Sequence, residues 1–219
     1  NIAGTAIPDG GLMLDMSHMR NVTVDAEAKL AHVEAGCLLQ DVDRATQEHG
    51  LATVLGFISE VGVGGLTLGG GLGYLTRRFG WTVDNLEEVE IVTADGSVRT
   101  ANREEHSDLF WAVRGGGGNF GVVTRFMFRL HDVGPIVFGG LIAWPFDRAD
   151  DVLAAYRKLT AEAPRELSAW LVLMRAPAEP FVPEEYHGKR CCVIVVCYSG
   201  DPDAKDAADK AAPAKARKK

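Results

Sequence analysis

Residues 62–73 read G-V-G-G-L-T-L-G-G-G-L-G, so seven of twelve consecutive positions lack a side chain. Glycine reaches positive φ at no steric cost and loses more conformational freedom on folding than any other residue, so a run this dense cannot be the middle of a long helix or strand. It must make turns, let one backbone approach another closely, or present backbone to a ligand. Residues 56–73 hold eight glycines and residues 115–121 hold five, so thirteen of the chain's 25 fall in two short stretches. No collagen-type period or low-complexity pattern accompanies them, and the excess is local.

The 219 residues are 47% hydrophobic and 24% charged, enough for one sizeable domain, or one domain and part of another. A net charge of −7 argues against a nucleic-acid partner, which would need a basic surface. The longest apolar run, residues 191–198, is far shorter than a bilayer span, so no membrane partner is expected, and no signal-peptide pattern opens the chain. Four cysteines, with Cys191 and Cys192 adjacent, make neither a disulfide framework nor a CxxC metal spacing. They are expected to be reduced and structural, which leans toward a cytoplasmic location. The chain opens at Asn1 without Met and ends in a Lys-rich run, and is read as a fragment truncated at both ends.

Local patterns place strands at residues 11–15, 22–24 and 31–35, then a helix at 39–49 with Val42, Ala45 and Thr46 on one face and Gly50 as its stop. Residues 86–94 and 97–100 are strands joined at Asp95-Gly96, a hairpin signal. Ser107 and Asp108 open a short helix that Gly115 ends, with Trp111 expected in the core beside Leu109 and Val113. Residues 122–130 alternate as a strand, and the composition shifts at Val133, Gly134 and Pro135. Beyond that boundary come a strand at 137–144, an amphipathic helix at 149–161 and strands at 167–174 and 191–198. Residues 201–219 are a charged Ala/Lys/Asp tail, a solvated helix or a disordered end. Short strands, hairpins and one crossing helix without regular βαβ alternation indicate an α+β fold and not a doubly wound sheet, with domains at 1–134 and 135–200.

Exposed glycine amides can surround phosphate oxygens because no Cβ obstructs the approach. The run at 62–73 contains GxGxxG-like triplets, but a dinucleotide fingerprint also needs a preceding strand, a long following helix and an acidic residue in a βαβ unit. That context is missing, and no Lys follows at Walker spacing, so a P-loop is excluded as well. On the glycines alone, tight turns and close strand packing with no ligand remain an equal alternative.

The longer strings decide between these readings. G-V-G-G-L-T-L-G-G-G-L-G-Y-L-T-R-R-F-G-W-T-V-D-N at 62–85, V-T-A-D-G at 92–96 and D-L-F-W-A-V-R-G-G-G-G-N-F-G-V-V-T at 108–124 stand in the order of a known family. Together they resemble the FAD-linked oxidases with a PCMH-type FAD-binding domain, in their berberine-bridge-enzyme-like branch. The resemblance covers residues 1–134 closely and the remainder loosely. It implies the second lobe of that FAD domain without the first, followed by the start of an α+β substrate domain, an antiparallel sheet with helices on one face. The activity it implies is oxidation of a small-molecule substrate such as an alcohol, sugar or secondary metabolite by hydride transfer to FAD, with molecular oxygen as acceptor. Two alternatives stay open: a non-catalytic remnant that keeps the fold without flavin, and a dehydrogenase of the same fold with another acceptor.

By the same resemblance Gly62, Gly64, Gly65, Thr67, Gly69, Gly70 and Gly71 lie along the pyrophosphate and ribityl chain, and the backbone of Gly121 and Val122 approaches the adenine end. Ile58 stands where some relatives carry a cysteine joined to the flavin, so attachment there is not expected. Val61 stands where a small Val accompanies oxygen reactivity and Ile or Leu accompanies dehydrogenase activity. The family's histidine anchor would precede Asn1, so this chain alone is expected to be inactive and to hold FAD weakly. The substrate-side residues fall largely in the second domain and the segment after it, and no catalytic base is assigned. His18, His32, His49, His106, His131 and His187 share no ligand spacing, so no metal site is expected. Cys37 reads as a buried small hydrophobe, Asp84-Asn85 as a turn and cap, and Tyr74 as a packing residue beside the glycine run, with flavin contact as its other reading.

Overall fold

The structure is a computed structural model that describes residue 4 and residues 6–201. The chain divides into two compact units, one ending at Pro135 and the other beginning at Ile136. The expected charged tail lies outside the described residues, apart from Asp201.

The first unit contains strands β1 (Val22–Asp25) and β2 (Leu30–Glu34), helix α1 (Leu39–Gln47), strand β3 (Leu51–Ala52), and short helices α2 (Val63–Leu68) and α3 (Thr76–Phe79). Strands β4 (Leu86–Val92) and β5 (Val98–Asn102), helix α4 (Ser107–Val113), and strands β6 (Val122–Arg129) and β7 (His131–Asp132) follow. Five strands form one sheet in the order β1-β2-β6-β4-β5, and β3 pairs with β7. Every pairing is antiparallel, as an α+β fold requires.

The pattern of side chains explains the layering. In β2, Ala31 and Val33 alternate onto the buried face, and Val42 and Thr46 of α1, four apart, are both buried. On β6, Val123, Phe126 and Phe128 are buried, an alternation that slips by one at Thr124. The cause is a bulge: Glu90 faces Arg125 while its neighbour Ile91 faces Val123, leaving Thr124 as the extra residue. Phe126, Phe128, Leu86, Ile91 and Leu39 are sealed from solvent and form one cluster with Phe110 and Val113. Burial on this scale contributes on the order of 2 kcal/mol per large side chain.

Two expectations fail in this unit. Residues 11–15 form no strand, and Leu12, Met13 and Leu14 are exposed, because no neighbouring strand pairs with them. Trp111 is 78% exposed and not a core residue. Phe110 and Val113 set the buried side of α4 with Leu109 flanking it, and at a helical 100° per residue Trp111 falls on the other side.

The second unit contains strand β8 (Phe138–Pro145), helix α5 (Ala149–Glu162), and strands β9 (Leu167–Arg175) and β10 (Arg190–Tyr198). They form an antiparallel sheet in the order β8-β10-β9. Helix α5 covers one face, packing Val152 and Tyr156 against Cys192, Ile194 and Leu171, with the Tyr156 hydroxyl donating to Ala169 O at 3.0 Å. This is the antiparallel sheet with a helix on one face that the resemblance implied. Among the described residues no helix is long and apolar enough to cross a membrane.

Candidate functional site

Nine of the eleven residues singled out above, from Ile58 to Gly71, lie on one stretch of backbone between β3 and β4. Its first part is stapled to the entrance of α1. Leu39 N–H donates to Val61 O at 3.0 Å, Gln40 N–H to Ser59 O at 3.2 Å, and Val63 N–H to Cys37 O at 2.9 Å. The amides at the start of α1 are thereby spent on protein carbonyls and not left for an anion. Cys37 is sealed in the core, and burial, aided by the nearby Asp41 charge, pushes its thiol pKa up to about 11, so it behaves as the small hydrophobe expected of it.

Helix α2 forms although two of its six residues are glycine, because Val63 and Thr67 share one side and both are buried. The sequence hints at it only through that i, i+4 pair. Gly64 N–H and Gly65 N–H, in its first turn, have no acceptor among the described residues. After the helix the chain turns through Gly70 (φ 104°) and Gly71 (φ 69°). Here Val83 N–H donates to Gly70 O at 3.1 Å and Thr82 N–H to Gly71 O at 3.0 Å. In a trans peptide the N–H points opposite to the C=O, so pinning these two carbonyls aims the amides of Gly71 and Leu72 away from Thr82 and Val83. Neither amide has an acceptor among the described residues.

The glycines of the two runs differ in what a side chain would meet. A Cβ on Gly73 would lie 1.6 Å from Leu55 O, one on Gly71 2.3 Å from Thr82 Oγ1, and one on Gly121 2.4 Å from Val92 O. A Cβ on Gly64 would lie 3.2 Å from Ala35 O, and one on Gly69 3.3 Å from Gly65 O. Around Gly62, Gly65 and Gly70 a Cβ would meet nothing within 4 Å among the described residues. Gly70 is accounted for by its positive φ; Gly62 and Gly65 have neither a steric nor a conformational reason among the described residues. A glycine inside a helix costs roughly 1 kcal/mol relative to alanine, so Gly65 is a choice that packing does not explain.

The surroundings are mixed. Thr67 Oγ1 and Thr82 Oγ1 are buried without a hydrogen-bond partner among the described residues, on two segments packed against each other. An unmade buried hydrogen bond costs roughly 1–3 kcal/mol, a cost that marks functional regions. Phe57, Ile58, Val61 and Tyr74 are exposed along the same stretch, with Phe57 and Tyr74 meeting edge to face at 4.8 Å. The 3-10 turn Gly117–Phe120 packs against α2, so the two glycine runs meet in space. Gly121 and Val122 follow that turn at the start of β6, where Val122 pairs with Val92.

The segment after the turn is held from several sides. Asp84 Oδ2 accepts from Trp81 N–H at 2.8 Å, and Arg114 Nε of the α4 C-cap donates to Val83 O at 2.9 Å. Asn85 bonds to carbonyls before it, so Asp84 and Asn85 form the turn and cap expected of them. His131 Nε2 lies 2.6 Å from Asn85 Oδ1, a contact with no local sequence signal. Burial, with Arg129 and Arg78 nearby, holds the His131 pKa below its ordinary value. A shallow hollow between the β4–β5 hairpin and α4, lined by Arg99, His106 and Phe120 among others, differs in kind. There Arg99 pairs with Asp95 and His106 Nδ1 with Thr100 O.

Open glycines, four unspent amides and an apolar border suit a ligand with an anionic pyrophosphate and a flat apolar ring. Residues 1–102 match the FAD binding domain family. The chain is thus similar to FAD-linked proteins over that segment. It is 40% identical over 204 residues to FAD-linked oxidoreductase pgmH of Aspergillus terreus, covering 93% of this chain and 40% of that protein. The crystal structure of 6-hydroxy-D-nicotine oxidase from Arthrobacter nicotinovorans matches with a TM-score of 0.82 and 30% identity, over 96% of this chain and 45% of that one. Phl p 4, a grass pollen allergen with glucose dehydrogenase activity, matches with a TM-score of 0.74 and 29% identity, over 86% of this chain and 36% of that one. The chain therefore spans less than half the length of each of these relatives.

Proposed function

We propose that this chain supplies one wall of the FAD site of an oxidase acting on a small organic substrate such as an alcohol, sugar or secondary metabolite, with molecular oxygen as electron acceptor. The observation that carries the reading is the open face of the glycine run, where nothing among the described residues accounts for the missing side chains of Gly62 and Gly65. In this reading Gly62, Gly64, Gly65, Thr67, Gly69, Gly70 and Gly71 follow the pyrophosphate and ribityl chain, and the backbone of Gly121 and Val122 faces the adenine end. The amides of Gly64, Gly65, Gly71 and Leu72 donate to oxygens of the cofactor, and Phe57, Ile58, Val61 and Tyr74 keep water from the ring. FAD, when bound, accepts the hydride that the substrate gives up. The protein orients and desolvates the reactants.

Oxygen as acceptor rests on Val61, whose small side chain is exposed on this wall. A parallel comes from Phl p 4, described as a glucose dehydrogenase, for which a variant with one isoleucine changed to valine is described as a glucose oxidase. In the intact protein, purified with a flavin absorption spectrum, V61I is expected to slow reaction of the reduced protein with oxygen by about tenfold, roughly 1.4 kcal/mol of barrier. Stopped-flow mixing with oxygenated buffer measures this. An unchanged rate, or a wild-type protein that stays reduced in air, would replace the oxidase reading by a dehydrogenase with another acceptor. A colourless protein that takes up no added FAD would leave only the remnant.

A further inference from the structure

We infer that Asn85 and His131 act as paired positioning residues that hold the turn at Gly70 and Gly71 in the conformation that faces its amides outward. The inference rests on the reading of that turn as part of the FAD wall. Asn85 is 1% exposed and every polar group it has is bonded. Its Nδ2 donates to Phe79 O at 3.1 Å and to Trp81 O at 2.8 Å, its N–H donates to Thr82 O at 3.1 Å, and its O accepts from Arg129 N–H at 2.8 Å. With the amide nitrogen committed to two carbonyls, Oδ1 must be the atom that faces His131 Nε2 at 2.6 Å, and His131 must carry a proton there. The Phe79 ring stacks on the imidazole, with centroids 3.8 Å apart and planes 10° from parallel. His131 belongs to β7, and Arg129 ends β6, so the segment from Phe79 to Thr82 is clamped to the strands of the unit.

That clamp reaches the glycines directly. The next two amides along the chain, of Thr82 and Val83, are the ones that pin Gly71 O and Gly70 O. Freeing the segment from Asn85 would let both peptides rotate, since glycine offers no steric resistance. The Arg114 bond to Val83 O and the Asp84 bond to Trp81 N–H remain when His131 loses its donor, so loosening and not unfolding is the consequence. A turn that spends only part of its time in the binding geometry lowers apparent affinity by that fraction. A purely structural knot would lower thermal stability and leave the bound flavin's affinity and spectrum alone.

The test is FAD titration of the intact protein by flavin fluorescence, with visible circular dichroism of the bound flavin and a melting curve for each variant. His131→Phe keeps a ring against Phe79 and removes the donor; His131→Gln supplies another N–H. H131F is expected to weaken FAD binding by about tenfold or more and to alter the flavin dichroism, and H131Q to recover most of both. His131→Leu serves as the donorless variant if H131F does not fold. Wild-type affinity and dichroism in a folded donorless variant would overturn the pairing, as would loss of fold in both H131F and H131L, which would make the pair a structural knot. Wild-type protein that binds no FAD would overturn the reading of the wall itself, a result distinguishable from either.

Discussion

Replacing Gly73 with alanine is expected to destabilise the protein by on the order of 3 kcal/mol or more. The added methyl carbon would lie 1.6 Å from Leu55 O, 2.8 Å from Leu55 C and 3.3 Å from Gly56 Cα, all backbone atoms that no rotamer change can move aside. Gly73 cannot retreat either. Its N–H donates to Thr76 Oγ1 at 2.8 Å and its O accepts from Thr76 N–H at 3.1 Å, which fixes it at the start of α3. Urea titration of wild type and G73A followed by tryptophan fluorescence measures the loss. An unchanged midpoint would mean that the segment after β3 and the glycine turn are not in contact.

The opposite outcome is expected at Gly65, eight positions earlier. G65L should leave stability unchanged or raise it by a few tenths of a kcal/mol, because leucine is the better helix former and the space around this position is empty. FAD affinity should nonetheless fall on the order of a hundredfold, about 2.8 kcal/mol, because the new side chain occupies the room where the cofactor would lie against the backbone. Parallel melting and FAD titration separate the two effects. Wild-type affinity in a folded G65L protein would remove Gly65 from the wall.

These two glycines look alike in sequence, and their difference shows what was legible there. The hairpin around Asp95 and Gly96, the helix that begins at Ser107 and the helix over Ala149–Glu162 are set by local period and turn chemistry, and all three form at the expected places. What excludes a Cβ at Gly73 or Gly121 is Leu55 or Val92, residues that only the fold brings near. The order of motifs pointed to the cofactor class, but not to which glycines pack against protein and which lie open. Helix α2 was hidden because two glycines lower helix propensity, and tertiary burial of Val63 and Thr67 overrides it. The slip in alternation at Thr124 needs the partner strand to define a bulge. The spacing of Trp111 with Leu109 and Val113 suggests a core position, whereas on α4 it falls on the side away from the buried Phe110 and Val113. The bond between Asn85 and His131 joins residues 46 apart in sequence, and neither carries a local sign of the other.

Hydrogen–deuterium exchange of the intact protein with and without saturating FAD, read at residues 60–75, tests most directly whether the open amides face the cofactor. Gly64, Gly65, Gly71 and Leu72 donate to nothing among the described residues, so their amides should exchange readily without FAD and become protected when it is bound. The amides of Val63 and Gly73, already bonded at 2.9 Å to Cys37 O and 2.8 Å to Thr76 Oγ1, should change little. Bound FAD with no gain of protection between residues 62 and 73 would contradict the assignment of this glycine run to the flavin site.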